Sequence, residues 1–235
     1  MNSPLPPGQR ETAEFPRFGL TQFASRFPSQ TAKATLQVIG LVDRELSLDG
    51  PLEQLPRVEQ VSDCHCVTTW SRRSLRWGGV RFTDFFERVV KPQARPHAAA
   101  TLVALRGQDG ARTAMWLEDL LSSDVLLADT LDGSPLNIDH GAPLRLVAPQ
   151  HYGYKSVKYL ARIEFRLPSS GYRVSALTFM DHPRARVLHE ERGRYFPGWL
   201  LRYAYRPLVD RTIALFRKAS LEHRAKGPGS GAHEA

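Results

Sequence analysis

The stretch Ser62-Asp63-Cys64-His65-Cys66-Val67-Thr68-Thr69-Trp70-Ser71 decides how this chain reads, because it sets two thiols and an imidazole side by side on extended backbone. Val58 to Val67 reads as a strand, so Cys64 and Cys66 point to one side and His65 to the other. That alternation argues against a proton-sharing pair between His65 and Cys66. A cysteine in a strand is most often a small buried hydrophobe, and a catalytic thiol beside a charged histidine is the second possibility. A soft metal held by one protein thiolate, with its other ligands brought by a cofactor, suits the geometry better than a dyad. Cys64 and Cys66 are the only cysteines. A bond between them would close almost no loop and strain the disulfide, and two cysteines do not make a four-ligand structural zinc site.

A second stretch answers the first. Gly141-Ala142-Pro143-Leu144-Arg145-Leu146-Val147-Ala148-Pro149 leads to Tyr152-Gly153-Tyr154-Lys155-Ser156-Val157-Lys158. Gly153 permits close backbone approach to a ligand, and Ser156 supplies a hydroxyl. Lys155 and Lys158, three residues apart, would share a face of a helical turn. Arg145, on the preceding strand, offers the planar fork that suits phosphate. Together these could make a phosphate cradle, though on spacing alone solvated lysines in a turn are the commoner case.

Around these stretches the chain reads as a β-rich α+β domain. Strands are expected at Thr35–Val42, Val58–Val67, Ala100–Arg106, Arg112–Leu117, Val125–Leu131, Pro143–Ala148 and Leu160–Leu167, with a proline-bounded helical turn at 51–56. Gly107–Gly110 and Asp132–Pro135 suit tight turns. Thr83 is expected to cap a helix whose Phe82, Phe85, Phe86, Val89 and Val90 form a core stripe, ended by Pro92 and Pro96. Residues 1–30, rich in Pro, Ser, Gln and aromatics, read as an arm lying on a domain of residues 31–181. Residues 182–226 read as a basic, partly helical extension and 227–235 as a disordered tail. Pro207 suits a first helical position, and from it Val209, Ile213, Phe216 and Ser220 line one stripe. That basic amphipathic helix is expected to pack on its own domain in preference to a membrane or partner.

Composition limits the function. The 235 residues are 42% hydrophobic and 24% charged, with ordinary Gly and Pro counts of 17 each, as expected of a folded soluble protein. No run approaches a membrane span. The proline-rich start shows neither a secretory signal nor a twin-arginine pair, so the cytoplasm is the expected location. Of the formal net charge of +8, residues 182–235 carry +6, from 11 Lys and Arg against 5 Asp and Glu. Without a zinc finger, an RNP-type aromatic motif or a GXXG loop, this charge does not lead us to expect nucleic-acid binding.

The two stretches together resemble the molybdopterin-binding domain of the sulfite oxidase family, and in particular its bacterial stand-alone members. The family pattern runs His-Cys-Val-Thr-x-Trp-Ser, Trp-x-Gly-Val, x-Gly-x-Pro-Leu-Arg-Leu-Val-x-Pro and Tyr-Gly-Tyr/Trp-Lys-Ser-x-Lys. All four occur here in order between about Thr35 and Leu167. The resemblance implies a molybdenum-molybdopterin cofactor and two-electron oxygen-atom transfer on a small-molecule substrate, with an electron-transfer partner. It implies that Cys66 ligates molybdenum. By the same resemblance Arg145, Ser156, Val157 through its backbone, and Lys158 hold the pterin phosphate, and His140 lies near the pterin. Cys64 stands where the family usually has an aromatic residue and reads as packing. Animal and plant sulfite oxidases follow their ligand cysteine with Gly-Asn-Arg-Arg. Here Val67–Ser71 intervene before Arg72-Arg73, so sulfite is not carried over as substrate. The alternative is a binding module of this fold that docks an acidic partner or anionic membrane surface through residues 182–226.

Overall fold

The computed structural model describes residues 4–29, 32–170 and 181–225. Two sheets share the core. One contains β1 (Arg10–Glu11), β4 (Arg57–His65), β5 (Trp70–Arg81), β8 (Leu126–Leu131), β9 (Ser134–Pro135) and β10 (Arg145–Val147). Its pairings are antiparallel except for β1, which lies parallel to β5. The other runs β3 (Leu46–Asp49), β2 (Thr35–Gly40), β11 (Leu160–Arg166), β6 (Leu102–Gly107), β7 (Arg112–Trp116), with only β2 and β11 parallel. The β-rich α+β reading therefore holds.

The strands bury alternate apolar side chains. Leu36 and Val38 of β2 and Ile163 and Phe165 of β11 meet Val103 and Leu105 of β6 in one large cluster. Four strands escape the sequence reading, β1, β3, β5 and β9. The twelve residues of β5 include four arginines and two glycines, which conceal a strand. The glycines are required by the pairing, since a Cβ on Gly79 would lie 2.1 Å from the carbonyl oxygen of Leu127 on β8. The register shifts between Gly78 and Gly79.

The expected helix after β5 differs in its details. Arg81, not Thr83, is the N-cap of α1 (Phe82–Phe85). The helix does not stop at Pro92. It continues as a π-helix over Phe86–Ala94, with the proline inside, and closes at Arg95 in the left-handed region, whose N–H reaches the Val90 carbonyl. The wider winding accommodates the ring that would break an α-helix. The aromatic stripe is core, as read. The helical turn read at 51–56 forms as hydrogen-bonded turns, with Glu53 N–H on the Gly50 carbonyl and Leu55 N–H on that of Leu52.

The rest of the chain is woven into this frame. A short α2 (Leu117–Leu120) follows β7. After Asp181 the backbone bonds to the loop before Ser156, with Tyr152 N–H on the Ala185 carbonyl and Val187 N–H on that of Gln150. Then come α3 (Gly198–Tyr205), a 3-10 turn at Arg206–Leu208 that contains Pro207, and α4 (Val209–Ala225). On α4 the buried residues are Thr212, Phe216 and Ser220, so this helix packs on its own domain. The tail read as disordered lies outside the described residues.

Candidate functional site

The backbone around Cys66 makes a tight turn. Cys66 N–H bonds to the Trp70 carbonyl at 2.8 Å and Thr69 N–H to the Cys66 carbonyl at 3.1 Å, with Thr69 at φ 87°. The turn joins β4 to β5 and presents the Cys66 thiol to a cavity of about 230 Å³. Cys64 lines the same cavity, as the alternation of the strand requires. His65 faces away and joins a separate chain of hydrogen bonds. Its Nδ1 meets Ser71 Oγ at 2.8 Å, Ser71 Oγ donates to Gln9 Oε1 at 2.9 Å, and Gln9 Nε2 donates to the Cys66 carbonyl at 3.0 Å. The single hydroxyl proton is committed to Gln9, so Nδ1 of His65 is the donor. No His65–Cys66 dyad exists.

Cys66 is buried, and its Sγ lies 3.1 Å from Thr68 Oγ1. Burial pushes its thiol up to about 11, against the opposing pull of the Thr68 contacts. Unaided, this is a protonated, inert thiol at neutral pH, unlike an activated nucleophile.

The second stretch supplies the cations. Arg145 is buried. Its Nη1 donates to the His140 carbonyl at 2.7 Å, its Nη2 to the Ser156 carbonyl at 3.4 Å, and its guanidinium lies 4.7 Å from the ring centre of Trp77. Lys158 Nζ donates to the Asp139 carbonyl at 2.9 Å. Burial first, then the like charges of Arg145 and Arg17, bring its ammonium down to about 7. Ser156 Oγ accepts from Ala148 N–H at 3.1 Å. Gly141, at φ 107°, closes this corner, because a Cβ there would lie 3.1 Å from that of Lys158 and 3.2 Å from that of Arg145.

Cys66, Arg145, Ser156, Val157 and Lys158 thus line one cavity. His140 adjoins the cavity without lining it: its ring stacks at 4.7 Å on Phe15, which does line it, and burial first, then Lys158 and Arg145, bring the imidazole down to about 4. One expectation does not hold. Lys155 does not join Lys158. It is buried on the other side, donating to the Ala114 carbonyl at 2.8 Å and pairing with Asp181 at 3.3 Å.

The structure adds residues that the sequence reading did not single out for this site. Arg17, from the arm, lines the cavity and donates to the carbonyls of Ala24 and Arg26 at 2.6 and 2.8 Å. Phe216 of α4 lines it from the other end of the chain, stacked on Phe18 at 6.4 Å. Arg192 is fully buried and donates to the Val67 carbonyl at 2.6 Å. Arg192 sits in a charged run and reads as surface, Arg17 is a lone cation between Pro16 and Phe18, and Phe216 reads as an ordinary core position, so no local signal marked them.

The cavity fits a phosphate-bearing ligand. Two buried cations, Arg17 and Arg145, and the half-buried Lys158 converge on it, and their mutual repulsion is what an anion would relieve. Trp70, also in its lining, leaves its buried indole N–H without a partner, a donor that a polar ligand would satisfy. A thiol beside such an anion site suits a cofactor that carries a soft metal and a phosphate tail.

Comparison with known proteins agrees. Residues 24–171 match the oxidoreductase molybdopterin binding domain. The chain is 38% identical over 163 residues to the uncharacterized oxidoreductase YuiH of Bacillus subtilis, covering 68% of this chain and 78% of that one. It is 29% identical over 187 residues to the protein-methionine-sulfoxide reductase catalytic subunit MsrP of Xanthomonas axonopodis pv. citri, 67% of this chain but only 58% of that protein. The sulfane dehydrogenase SoxCD from Paracoccus pantotrophus shares the fold, with a TM-score of 0.53 at 22% identity over 65% of this chain and 44% of that one. The cofactor of this domain is molybdenum-molybdopterin. Sequence, fold and cavity agree that the chain belongs to the oxidoreductase molybdopterin binding domain family and is a molybdenum-dependent oxidoreductase.

Proposed function

We propose that this protein catalyses two-electron oxygen-atom transfer on a small substrate, with Cys66 as the one protein ligand of molybdenum. The observation that carries the reading is the convergence of Cys66 with Arg145, Ser156, Val157 and Lys158 on a single cavity. The cofactor, when bound, supplies the oxygen-atom and two-electron chemistry.

The chain's own residues bind and orient. Arg145 and Lys158 meet the phosphate as charge-assisted donors, joined by Ser156 Oγ and the Val157 backbone. Arg17 adds a third positive charge from the arm. His140, stacked on Phe15, holds that aromatic wall in place. Cys66 would hold the metal as its thiolate, with its proton released to solvent, and the metal's charge would offset the cost of burying that thiolate. Phe15, Phe18 and Phe216 exclude water. No side chain in the cavity stands out as a general acid or base, so the protein's part is positioning and electrostatics. A separate electron-transfer partner would exchange the two electrons.

The test is molybdenum and pterin content of protein made in a host that synthesises the cofactor. Wild type is expected to hold about one molybdenum per chain. Cys66→Ala is expected to lose the thiolate-to-metal absorption band and most of the metal, while Cys64→Ala keeps both. Equal loss in the two variants, or none in either, would remove Cys66 from the ligand set.

A further inference from the structure

We propose that the outward face of α3 and the start of α4 is a docking surface for an anionic lipid membrane. Among the described residues, nine of the eleven exposed large hydrophobic side chains fall between Leu188 and Leu221. On α3, Leu201 and Tyr205 face the protein. Trp199, Leu200 and Tyr203 face solvent, with Trp199 55% and Tyr203 62% exposed, and Phe196 precedes them on the same side. From Leu208, the last residue of the 3-10 turn, Arg211, Leu215 and Lys218 follow at steps of three, four and three along the exposed side of α4. The helical rod is therefore apolar on two sides. One side belongs to the domain and the other meets only solvent, which is more than scattered surface hydrophobics explain.

Charge identifies the occupant. Residues 182–225 hold ten Lys and Arg against four Asp and Glu. Most of these cations have acidic partners: Arg184 with Glu118 and Asp119, Arg186 with Glu191, Arg192 and Arg202 with Glu190, Arg217 with Glu14, Arg224 with Asp139. Lys218 has Glu222. Arg194, Arg206 and Arg211 have no acidic partner among the described residues, and of these Arg194 and Arg211 are exposed. A second copy of this chain would bring the same positive charge against it. Tryptophan and tyrosine interleaved with unpaired arginine match the headgroup region, where the rings sit at the interface and guanidinium meets lipid phosphate. No helix among the described residues is long and apolar enough to cross a membrane, so the rod lies on the surface. This surface lies outside the cofactor cavity and does not depend on the reaction proposed above.

The test is co-sedimentation of the cofactor-loaded full chain with vesicles of phosphatidylcholine alone and of phosphatidylcholine mixed with phosphatidylglycerol. Binding is expected on the mixed vesicles, with a blue shift of tryptophan emission from Trp199, and to fall steeply as salt is raised. Trp70 and Trp77 are buried, so they contribute little to that shift. The double substitution Arg194→Glu and Arg211→Glu is expected to weaken binding by at least about 25-fold, from about fivefold per positive charge lost. Trp199→Ala with Tyr203→Ala is expected to abolish the emission shift. Molybdenum content and circular dichroism should not change in either pair. The exposed arginine pair keeps the test decisive should the aromatic pair fold poorly. Three outcomes overturn the proposal: no binding to mixed vesicles at low salt, equal binding to both vesicle types, or concentration-dependent self-association that the aromatic pair removes.

Discussion

Arg192 donates from Nη1 to the carbonyl oxygen of Val67 at 2.6 Å, so a side chain from the C-terminal basic stretch pins the turn that carries Cys66. The same guanidinium donates from Nη2 to the Pro7 carbonyl at 2.9 Å and from Nε to Glu190 Oε1 at 3.2 Å, and it lies 5.0 Å from the ring centre of Tyr152. One buried cation thus ties the arm, the thiol turn and the stretch after Asp181 together.

Replacing Arg192 with methionine should therefore cost about 3–5 kcal/mol, because two carbonyl oxygens lose their donor in the interior and Glu190 is left with Arg202 alone. Arg192→Lys should recover only part of this, since an ammonium cannot span three acceptors in the plane of a fork. Urea unfolding followed by tryptophan emission measures both. A loss below about 1 kcal/mol would mean that water replaces the guanidinium at no cost.

Lys158 sets a pH dependence for anions. Burial first, then Arg145 and Arg17, lower its ammonium from 10.5 to about 7. A base whose folded value is depressed costs the fold stability as pH falls from 10.5 towards 7, and an anion beside it returns some of that stability. Sulfate, whose charge is constant through this range, should raise the melting temperature of cofactor-free protein more below pH 7 than above it. Lys158→Met should flatten the dependence. An equal sulfate shift on both sides of pH 7 in wild type would place the anion elsewhere.

Glu191 governs acid stability of the segment after Asp181. Its burial favours the neutral form, but hydrogen bonds from the Arg186 side chain and backbone, with His182 nearby, outweigh that and hold the carboxyl at about 2 in place of 4.5. A depressed carboxylate contributes stability that is complete above about 4.5 and is lost as pH falls through about 2, worth roughly 3 kcal/mol at most. Glu191→Gln should remove this and make the urea midpoint flatter between those values. An unchanged acid limb would show that the pair with Arg186 contributes little.

Phe216 closes the cavity from α4. Phe216→Ala removes a buried ring that faces Phe18 and Arg17 and should cost about 2–4 kcal/mol. It should also speed cofactor release, read as pterin fluorescence in the small-molecule fraction after dilution and gel filtration. Retention as in wild type would show that the arm alone closes the site.

Much of the domain was legible because its signals are local. The strands at 35–40, 102–107, 126–131 and 160–166 carry β-branched and aliphatic runs bounded by turns, and each formed within two residues of where it is read. Strand β5 was not legible, since arginines and paired glycines break the apolar alternation. Only the close backbone of β8 explains the glycines. Pro92 misled for a related reason. A proline is a sound stop signal for an α-helix, but nothing local announces the π-winding that takes it in.

The sequence by itself determined the two motif stretches, the α+β class, and the bond between function and the residues from Cys66 to Lys158. These depend on spacing within a strand or a turn, where neighbours along the chain are neighbours in space. Only the tertiary structure decided that Arg17, Arg192 and Phe216 belong to the same site, and that Lys155 does not. It also divided the basic C-terminal segment into a face packed on the domain and a face left to solvent. The reason is that these contacts join residues far apart along the chain, 185 positions for Arg192 and Pro7, and such closures leave no period in the sequence.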